Sequence, residues 1–257
     1  MKTKMIVTDL DNTLLRRDKT ISDYTVSVLN QCKKRGILLA FATARPKRAV
    51  FEYLDITDKV KFDAMAFHNG AVIYCGDSLS ARYGIERKTA RKLAGKLHSM
   101  GMSVGVELDE KPYANYDQSA EWPGMEYVLT DFSALPDKPA EKIIIHKPSK
   151  EDIAKIEAII PPSLYVEMNE GVLGLIMSRE ATKHNAVKVL AEKFSVALSE
   201  IAAFGDDLND VAMLRECGVG VAVSNALDTV KAASDFVCGD CDEDGMTKWI
   251  EENVHRL

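Results

Sequence analysis

The chain has 257 residues, of which 46% are apolar and 28% are charged, and its formal net charge is −6. This length and composition are typical of a globular protein with one large domain or two modest ones. The longest apolar run, around residues 37–42, is too short to cross a bilayer, and the acidic balance disfavours a general nucleic-acid binder, which needs clustered positive charge. Asp9 and Asp11 interrupt the first apolar stretch too early for a secretory signal. We therefore expect neither a membrane nor a nucleic acid among its partners.

The first part of the chain alternates strand and helix patterns. Residues 5–8 and 37–42 are predicted to be buried strands. Between them the spacing predicts a helix at 23–35, with Ser22 as its N-cap and Gly36 at its end. The expected apolar face of this helix consists of Tyr24, Val28, Leu29 and Cys32.

The last part of the chain repeats this alternation. A helix is predicted after Thr182, followed by a strand at 201–204, a helix at 208–215 and a strand at 219–223. Strands that alternate with helices at this spacing predict a parallel, doubly wound sheet.

The middle of the chain has a different pattern. Its predicted elements are a helix at 86–100, a hairpin of 102–108 with 112–116, a strand at 142–146, a helix at 150–159, and two strands, 164–168 and 172–177, joined by the turn signal Asn169-Glu170-Gly171. Strands joined by short turns are antiparallel. We therefore predict an α/β fold: a doubly wound, Rossmann-like core of residues 1–80 and 181–257, and an inserted α/β domain at 81–180 with a mainly antiparallel sheet.

Five scattered cysteines form no disulfide framework, which favours a reducing compartment, the cytoplasm by default. Cys238 and Cys241 have the spacing of a redox pair or of half a zinc site, but no second pair follows them. We interpret them as two cysteines beside a late strand.

Two carboxylates, Asp9 and Asp11, follow the first predicted strand. Doubly wound sheets bind ligands at the carboxyl ends of their strands, and residues two positions apart in extended chain point to the same side. Both carboxylates could therefore face one reacting group. The alternative is a plain turn in which Asp11 or Asn12 acts as a cap.

A denser acidic cluster, Gly205-Asp206-Asp207-Leu208-Asn209-Asp210, follows the strand at 201–204. Like charges about 4 Å apart repel by about 4 kcal/mol at an effective dielectric constant of about 20, so a bound cation is expected. Ligands that are all oxygen favour Mg²⁺. The alternative, a solvated acidic loop, is disfavoured because apolar Phe204 and Met213 lie on either side.

Two further polar residues lie at predicted element ends. Thr43 closes the second strand and offers a hydroxyl beside the amides of a helix N-terminus, which suits phosphate oxygens; a cap is the alternative. Lys183 opens the helix after the insert, where its charge opposes the helix dipole, so either it meets an anion or it is an ordinary exposed lysine.

Taken in order, these motifs resemble those of the haloacid dehalogenase (HAD) superfamily. The resemblance rests on Asp9-x-Asp11-x-Thr13, Thr43, Lys183 and Gly205-Asp206-Asp207-x-Asn209-Asp210, and it covers essentially the whole chain. The position of the α/β insert, together with Asn69-Gly70-Ala71, is similar to the Cof-like branch of small-molecule phosphatases, in which the insert is a cap domain.

The resemblance implies a phosphoaspartyl mechanism on a small phosphorylated metabolite, with a sugar phosphate as one candidate class. Asp9 is the implied nucleophile, and Asp11 the implied acid that protonates the leaving oxygen and then activates water. The implied Mg²⁺ ligands are Asp9, the Asp11 main-chain carbonyl, Asp206 and, directly or through water, Asp210. Thr43 and Lys183 complete the implied catalytic set. The implied substrate-binding residues are Thr43, Ala44, Arg45, Asn69, Lys183 and Asn209.

Three residues depart from the family pattern. Asn12, Ala44 and His184 stand where glycine is usual. None of them removes a group that the chemistry needs. For His184 the alternatives are a surface helix residue or a substrate contact.

Two other functions stay open on the motifs alone. A phosphomutase would return the phosphoryl group to another position of one sugar, and a non-catalytic phosphometabolite-binding protein would not need Asp11. Substrate choice is expected to lie in the cap. Its polar and aromatic residues could contact the substrate or could equally pack on a face of the sheet; they are Glu107, Tyr113, Tyr116, Trp122, Glu167 and Asn169. The oligomeric state is left open.

Overall fold

The computed structural model describes residues 3–119, 122–169 and 171–253. Its strands, in chain order, are β1 (Met5–Thr8), β2 (Leu38–Ala42), β3 (Ala64–Phe67), β4 (Val72–Cys75), β5 (Ser78–Arg82), β6 (Val104–Leu108), β7 (Lys111–Ala114), β8 (Val128–Leu129), β9 (Lys142–His146), β10 (Leu164–Asn169), β11 (Leu173–Ser178), β12 (Ile201–Gly205), β13 (Val219–Ala222) and β14 (Phe236–Val237).

The α-helices lie between these strands and after the last of them. They are α1 (Asp23–Lys34), α2 (Lys47–Tyr53), α3 (Ile56–Lys59), α4 (Arg87–Ser99), α5 (Lys150–Glu157), α6 (Lys183–Phe194), α7 (Val211–Glu216), α8 (Asp228–Lys231) and α9 (Gly245–Asn253). Within the described residues, no helix is both long enough and apolar enough to cross a bilayer.

The chain folds as two compact units, one formed by Met1–Arg82 with Thr182–Leu257 and the other by Tyr83–Ala181. The first unit contains an eight-stranded sheet in the order β14-β13-β12-β1-β2-β3-β4-β5. Strands β12, β1 and β2 lie side by side and parallel at its centre, and every residue of β1 and β12 is buried. Apolar runs of this kind suit strands covered on both faces.

This sheet corrects one detail of the sequence prediction, because it is mixed and not wholly parallel. Strand β4 pairs antiparallel with β3, and β5 pairs antiparallel with β4. The connections between these three strands are too short for the crossover that parallel pairing requires.

Helix α1 begins and ends as its sequence predicts. The Ser22 hydroxyl accepts a hydrogen bond from the Thr25 amide, and Gly36 follows the helix with a φ of +83°. The predicted apolar face is wrong at Tyr24, which is 36% exposed. Its hydroxyl donates to Glu251, and Thr25 is the buried residue in its place.

The second unit contains a six-stranded sheet in the order β10-β11-β9-β6-β7-β8. Its pairs are antiparallel except for β7 with β8, so the mainly antiparallel sheet is confirmed. The turn between β6 and β7 has Asp109 and Glu110 at φ of +52° and +66°. In the predicted hairpin signal between β10 and β11, Glu170 and the side chain of Asn169 lie outside the described residues.

Candidate active site

Three neighbouring strands of the first unit end at one edge of its sheet. Thr8, the last residue of β1, is in register with Phe204 of β12 and with Phe41 of β2. Asp9 and Thr43 follow their strands directly, and Asp206 follows the glycine that ends β12. Parallel strands thus bring the first, second and fourth motifs together, since their carboxyl ends coincide.

The ammonium of Lys183 lies at the centre of this edge. Its Nζ is 2.6 Å from Asp9 Oδ1 and 2.7 Å from Asp210 Oδ1, and all three side chains are buried. Lys183 is the first residue of α6, whose N-cap Thr182 accepts a hydrogen bond from the Asn185 amide. The third motif therefore reaches the other motifs from a helix N-terminus, and Lys183 is not the exposed lysine of the alternative interpretation.

Three carboxylates face one another around this ammonium. Asp9, Asp206 and Asp210 each offer an oxygen, and these oxygens all lie within 4.8 Å of one another. Such an all-oxygen cluster has the donor chemistry of a site for a hard divalent cation.

Burial and repulsion both act on the protonation of the cluster. Burial raises the pKa of Asp9 well above its usual value, the charge of Lys183 opposes that rise, and the charges of Asp210 and Asp206 add to it. Burial, together with the charge of Asp210, raises the pKa of Asp206 to about 6. Burial alone would lower the pKa of Lys183, but the charges of Asp210 and Asp9 outweigh it and hold that pKa above its usual value. Lys183 is therefore a permanent cation here.

Asp210 also organises the loop that carries Asp206. Its Oδ2 accepts the amides of Asp206 and Asp207 at 3.0 and 3.1 Å. A Cβ on Gly205 would lie only 2.5 Å from the Cβ of Asp210. Glycine is thus required at 205, because the Asp210 side chain folds back over that position.

Asp11 lies in a separate arrangement of charges. Arg45 donates two hydrogen bonds to its carboxylate, from Nε to Oδ2 at 2.6 Å and from Nη2 to Oδ1 at 2.7 Å. The ammonium of Lys19 lies 2.9 Å from Oδ1. Burial would raise the pKa of Asp11, but the hydrogen bonds and charges of Arg45 and Lys19 lower it below its usual value. Asn12, which stands where glycine is usual, has a φ of +56°, a conformation that asparagine adopts more easily than most residues.

The remaining predicted substrate-binding residues of this unit form a chain of hydrogen bonds. Thr43 Oγ1 accepts the Arg45 amide at 3.1 Å, while the Thr43 carbonyl accepts the Asn69 amide at 2.8 Å. Asn209 Nδ2 donates to Asn69 Oδ1 at 3.2 Å. Ala44 joins Thr43 to Arg45 in the same turn.

Gly70, beside Asn69, has a φ of +99°, and a Cβ there would lie 2.5 Å from the Thr182 carbonyl oxygen. This close approach gives a physical reason for glycine in Asn69-Gly70-Ala71, since the turn after β3 packs against the start of α6.

The structure adds Thr13 and Lys19 to the site, and it shows the surroundings of His184. Thr13 Oγ1 donates to Asp206 Oδ1 at 2.8 Å; its place in the first motif was the available signal. Lys19 lies in a polar turn that gave no signal. His184 Nε2 lies 2.8 Å from Glu216 Oε2, so its ring is engaged on the helix surface.

The specificity candidates of the second unit have mixed environments. Tyr113 packs against the hydrophobic core of that unit, so for it the packing alternative holds. The Tyr116 ring stacks on His146 with centroids 5.1 Å apart. Glu107 is buried on β6. Trp122 and Glu167 are half-buried.

Comparisons with known proteins identify the family of the chain. The sequence profile of the haloacid dehalogenase-like hydrolases matches residues 6–250. A 5-amino-6-(5-phospho-D-ribitylamino)uracil phosphatase of Bacillus subtilis, YcsE, is 27% identical over 261 residues, which cover 98% of this chain and 96% of that protein.

Solved structures of the superfamily share the fold. A HAD phosphatase from Bacteroides thetaiotaomicron superposes with a TM-score of 0.86 at 24% identity, covering 100% of this chain and 96% of the other. A HAD subclass IIB sugar phosphatase superposes with a TM-score of 0.83 at 22% identity, covering 97% and 98% of the two chains. Since the family profile spans nearly the whole sequence, the chain belongs to the haloacid dehalogenase-like hydrolases.

Proposed function

We propose that the protein is a Mg²⁺-dependent phosphatase that hydrolyses a small phosphorylated metabolite through a phosphoaspartyl intermediate on Asp9. The observation that carries the proposal is the meeting of Asp9, Asp206 and Asp210 around the buried ammonium of Lys183. A sugar phosphate is one candidate substrate class, because one structural neighbour is a sugar phosphatase and the YcsE substrate carries a phosphorylated ribityl chain.

The donor set supports the metal. Burial and mutual repulsion raise the pKa values of Asp9 and Asp206, so the single positive charge of Lys183 does not balance the three carboxylates when all of them are ionised. Asp9, Asp206 and the Asp11 main-chain carbonyl would hold Mg²⁺. Asp210 would support the metal directly or through water, and its Oδ2 is already engaged by two amides. Bound Mg²⁺ would supply neutralising charge for an attack by one anion on another.

The side chains divide the reaction into two displacements. An Asp9 oxygen forms a bond to phosphorus while the ester P–O bond breaks, and the Asp11 proton passes to the leaving oxygen. A water molecule then attacks phosphorus, its proton passes to Asp11, and the Asp9–phosphorus bond breaks to release phosphate. Lys183 and the Thr43 hydroxyl would bind the phosphoryl oxygens, and the Asn69–Asn209 pair and Arg45 would orient the substrate.

The two compact units have separate proposed roles. Met1–Arg82 with Thr182–Leu257 would be the catalytic core, and Tyr83–Ala181 the cap that selects the substrate and excludes water. The cytoplasm stays our proposed compartment, because all five cysteines are free thiols.

A phosphate-release screen over phosphorylated metabolites, with Mg²⁺ present, tests the function. We expect turnover that EDTA removes and Mg²⁺ restores, and no release from Asp9→Asn or Asp11→Asn while their circular dichroism stays native. Turnover by Asp9→Asn would rule out its role as nucleophile. Isomerised product with little free phosphate would identify a mutase, and binding without either product would identify a sensor.

A further inference from the structure

We propose that Lys19 is a positioning residue for the carboxylate of Asp11, whose Oδ1 it holds independently of Arg45. The inference rests on the proposed function, in which Asp11 is the acid and base. Lys19 has no role in the motifs that define the site, and the structure brings it there from the turn that follows the first motif.

The contact geometry supplies the first argument. Arg45 uses both carboxylate oxygens of Asp11, with Nε on Oδ2 at 2.6 Å and Nη2 on Oδ1 at 2.7 Å. Lys19 Nζ shares Oδ1 at 2.9 Å. A planar guanidinium and a compact ammonium thus bind the same carboxylate from two parts of the chain. If Arg45 leaves to bind substrate, Lys19 still fixes Oδ1 and leaves Oδ2 available for proton transfer.

The backbone supplies the second argument. Lys19 has a φ of +68°, which is costly for a residue with a Cβ and with no short polar side chain to compensate. Its amide donates to the Arg16 carbonyl at 2.9 Å, and the Arg16 amide donates to the Thr20 carbonyl at 3.0 Å, which closes the turn. Strain that persists in an anchored turn is a feature associated with functional positions.

Neighbouring ion pairs keep the turn in place. Arg16 Nη2 lies 3.0 Å from Asp244 Oδ2, and Arg17 Nη2 lies 2.9 Å from Asp240 Oδ2. The turn is therefore tied to the loop after β14 on the same unit. Because this anchoring is independent of Lys19, removal of its side chain should leave the turn folded.

The Lys19–Asp11 pair contributes little to folding. The two side chains are 41% and 29% exposed, and ion pairs at that exposure give small net stabilisation. The chain offers a matched control in Lys4, which pairs with Glu200 at 2.7 Å with exposures of 50% and 25% and lies outside the site. A structural role for Lys19 would thus resemble that of Lys4, whereas a positioning role would appear in kcat.

The experiment measures kcat, KM and melting temperature with Mg²⁺ on an alkyl phosphate that the native enzyme hydrolyses. Lys19→Met is expected to lower kcat by about tenfold with KM within about twofold, and Lys19→Arg to restore most of kcat. Lys4→Met should match the native enzyme. An unchanged kcat in Lys19→Met, no rescue by arginine, or a loss of kcat that follows the melting temperature would each overturn the proposal.

A double-mutant cycle separates this proposal from the proposed function. The first displacement is followed alone as the single-turnover burst of p-nitrophenol from p-nitrophenyl phosphate, whose leaving group needs no acid. Asp11→Asn should retain a measurable burst rate, and adding Lys19→Met should lower that rate less than twofold. A full further loss would mean that Lys19 does not act through Asp11. If Asp11→Asn hydrolyses the alkyl phosphate at the native rate, the proposed function fails, whereas a required Asp11 with a dispensable Lys19 overturns the positioning role alone.

Discussion

The ammonium of Lys183 lies 2.6 Å from the carboxylate of Asp9, although the two residues are 174 positions apart in the sequence. Asp9 follows the central strand of its sheet, and Lys183 opens the helix that begins after the second unit. Both side chains are at most 7% exposed. Folding of the first unit therefore assembles the charged centre of the site, and the same contact serves stability and chemistry.

We predict that Lys183→Met is strongly destabilised and inactive. The substitution leaves the carboxylates of Asp9 and Asp210 buried without their cation, and breaking a buried pair by removing one partner costs about 3–5 kcal/mol. Urea denaturation in EDTA at about pH 7.5 measures the free energy of unfolding, and phosphate release measures the activity.

Lys33→Met is the matched control for that loss. Lys33 Nζ lies 2.8 Å from Asp63 Oδ1, but these side chains are 23% and 27% exposed and lie outside the site. We expect a cost of about 1 kcal/mol and native turnover. Equal losses in the two variants would mean that burial of the Lys183 cluster has no special energetic role.

We predict that the affinity for Mg²⁺ falls as the pH falls through about 6. Burial and the charge of Asp210 raise the pKa of Asp206 to about 6, so below that pH the metal-free protein holds a proton that Mg²⁺ must displace. Each proton displaced weakens the apparent affinity by up to about tenfold per pH unit.

Titration calorimetry at about pH 5.5, 6.5 and 7.5 in buffers of different ionisation enthalpy gives both the affinity and the protons released. The melting temperature should rise more on addition of Mg²⁺ at about pH 7.5 than at about pH 5.5. An affinity that is constant across this range would contradict the assignment of Asp206 as a ligand.

Much of this site could be predicted from the sequence because its residues follow strands. Asp9 and Thr43 come directly after buried apolar runs, and parallel strands bring their carboxyl ends to one edge. The order of the motifs then linked Lys183 to the same edge.

Other features depend on contacts that leave no local pattern. Asp210 is a residue type that commonly binds metals, yet its Oδ2 accepts hydrogen bonds from two amides of its own loop. Those hydrogen bonds depend on the path of the loop after Gly205, which the sequence does not show. Lys19 reaches Asp11 because its own backbone is in the left-handed conformation, and the presence of a lysine in the sequence does not predict that conformation. Strands β4 and β5 are antiparallel because their connections are short. The alternation of strands and helices in the rest of the core predicts parallel pairing and does not indicate this exception.

We predict that Asp210→Ala destabilises the protein whereas Asp206→Ala does not. Asp210 accepts two amides and the ammonium of Lys183, so its removal leaves buried donors without partners and should cost about 3 kcal/mol or more. Asp206 has a raised pKa, which means that its charge is unfavourable in the metal-free fold, so its removal should be neutral or stabilising at about pH 7.5.

Urea denaturation in EDTA measures both free energies of unfolding, and phosphate release with Mg²⁺ should be lost in both variants. The stabilities thus separate a scaffold role for Asp210 from a ligand role for Asp206. If both variants are destabilised to the same degree, the two carboxylates share one structural role and the distinction fails.

We predict that Gly70→Ala lowers both stability and turnover, whereas Gly36→Ala lowers stability alone. A Cβ at 70 would lie 2.5 Å from the Thr182 carbonyl, next to Lys183, and the φ of +99° adds backbone strain, so the expected cost is about 2–4 kcal/mol. Gly36 has a φ of +83° but nothing lies within 4 Å of the place that a Cβ would take, so only the strain of about 1 kcal/mol applies. Because the clash at 70 pushes on the residue that precedes Lys183, kcat should fall in that variant even at temperatures where it is fully folded. Native kcat in folded Gly70→Ala would mean that the start of α6 can shift without moving the ammonium of Lys183.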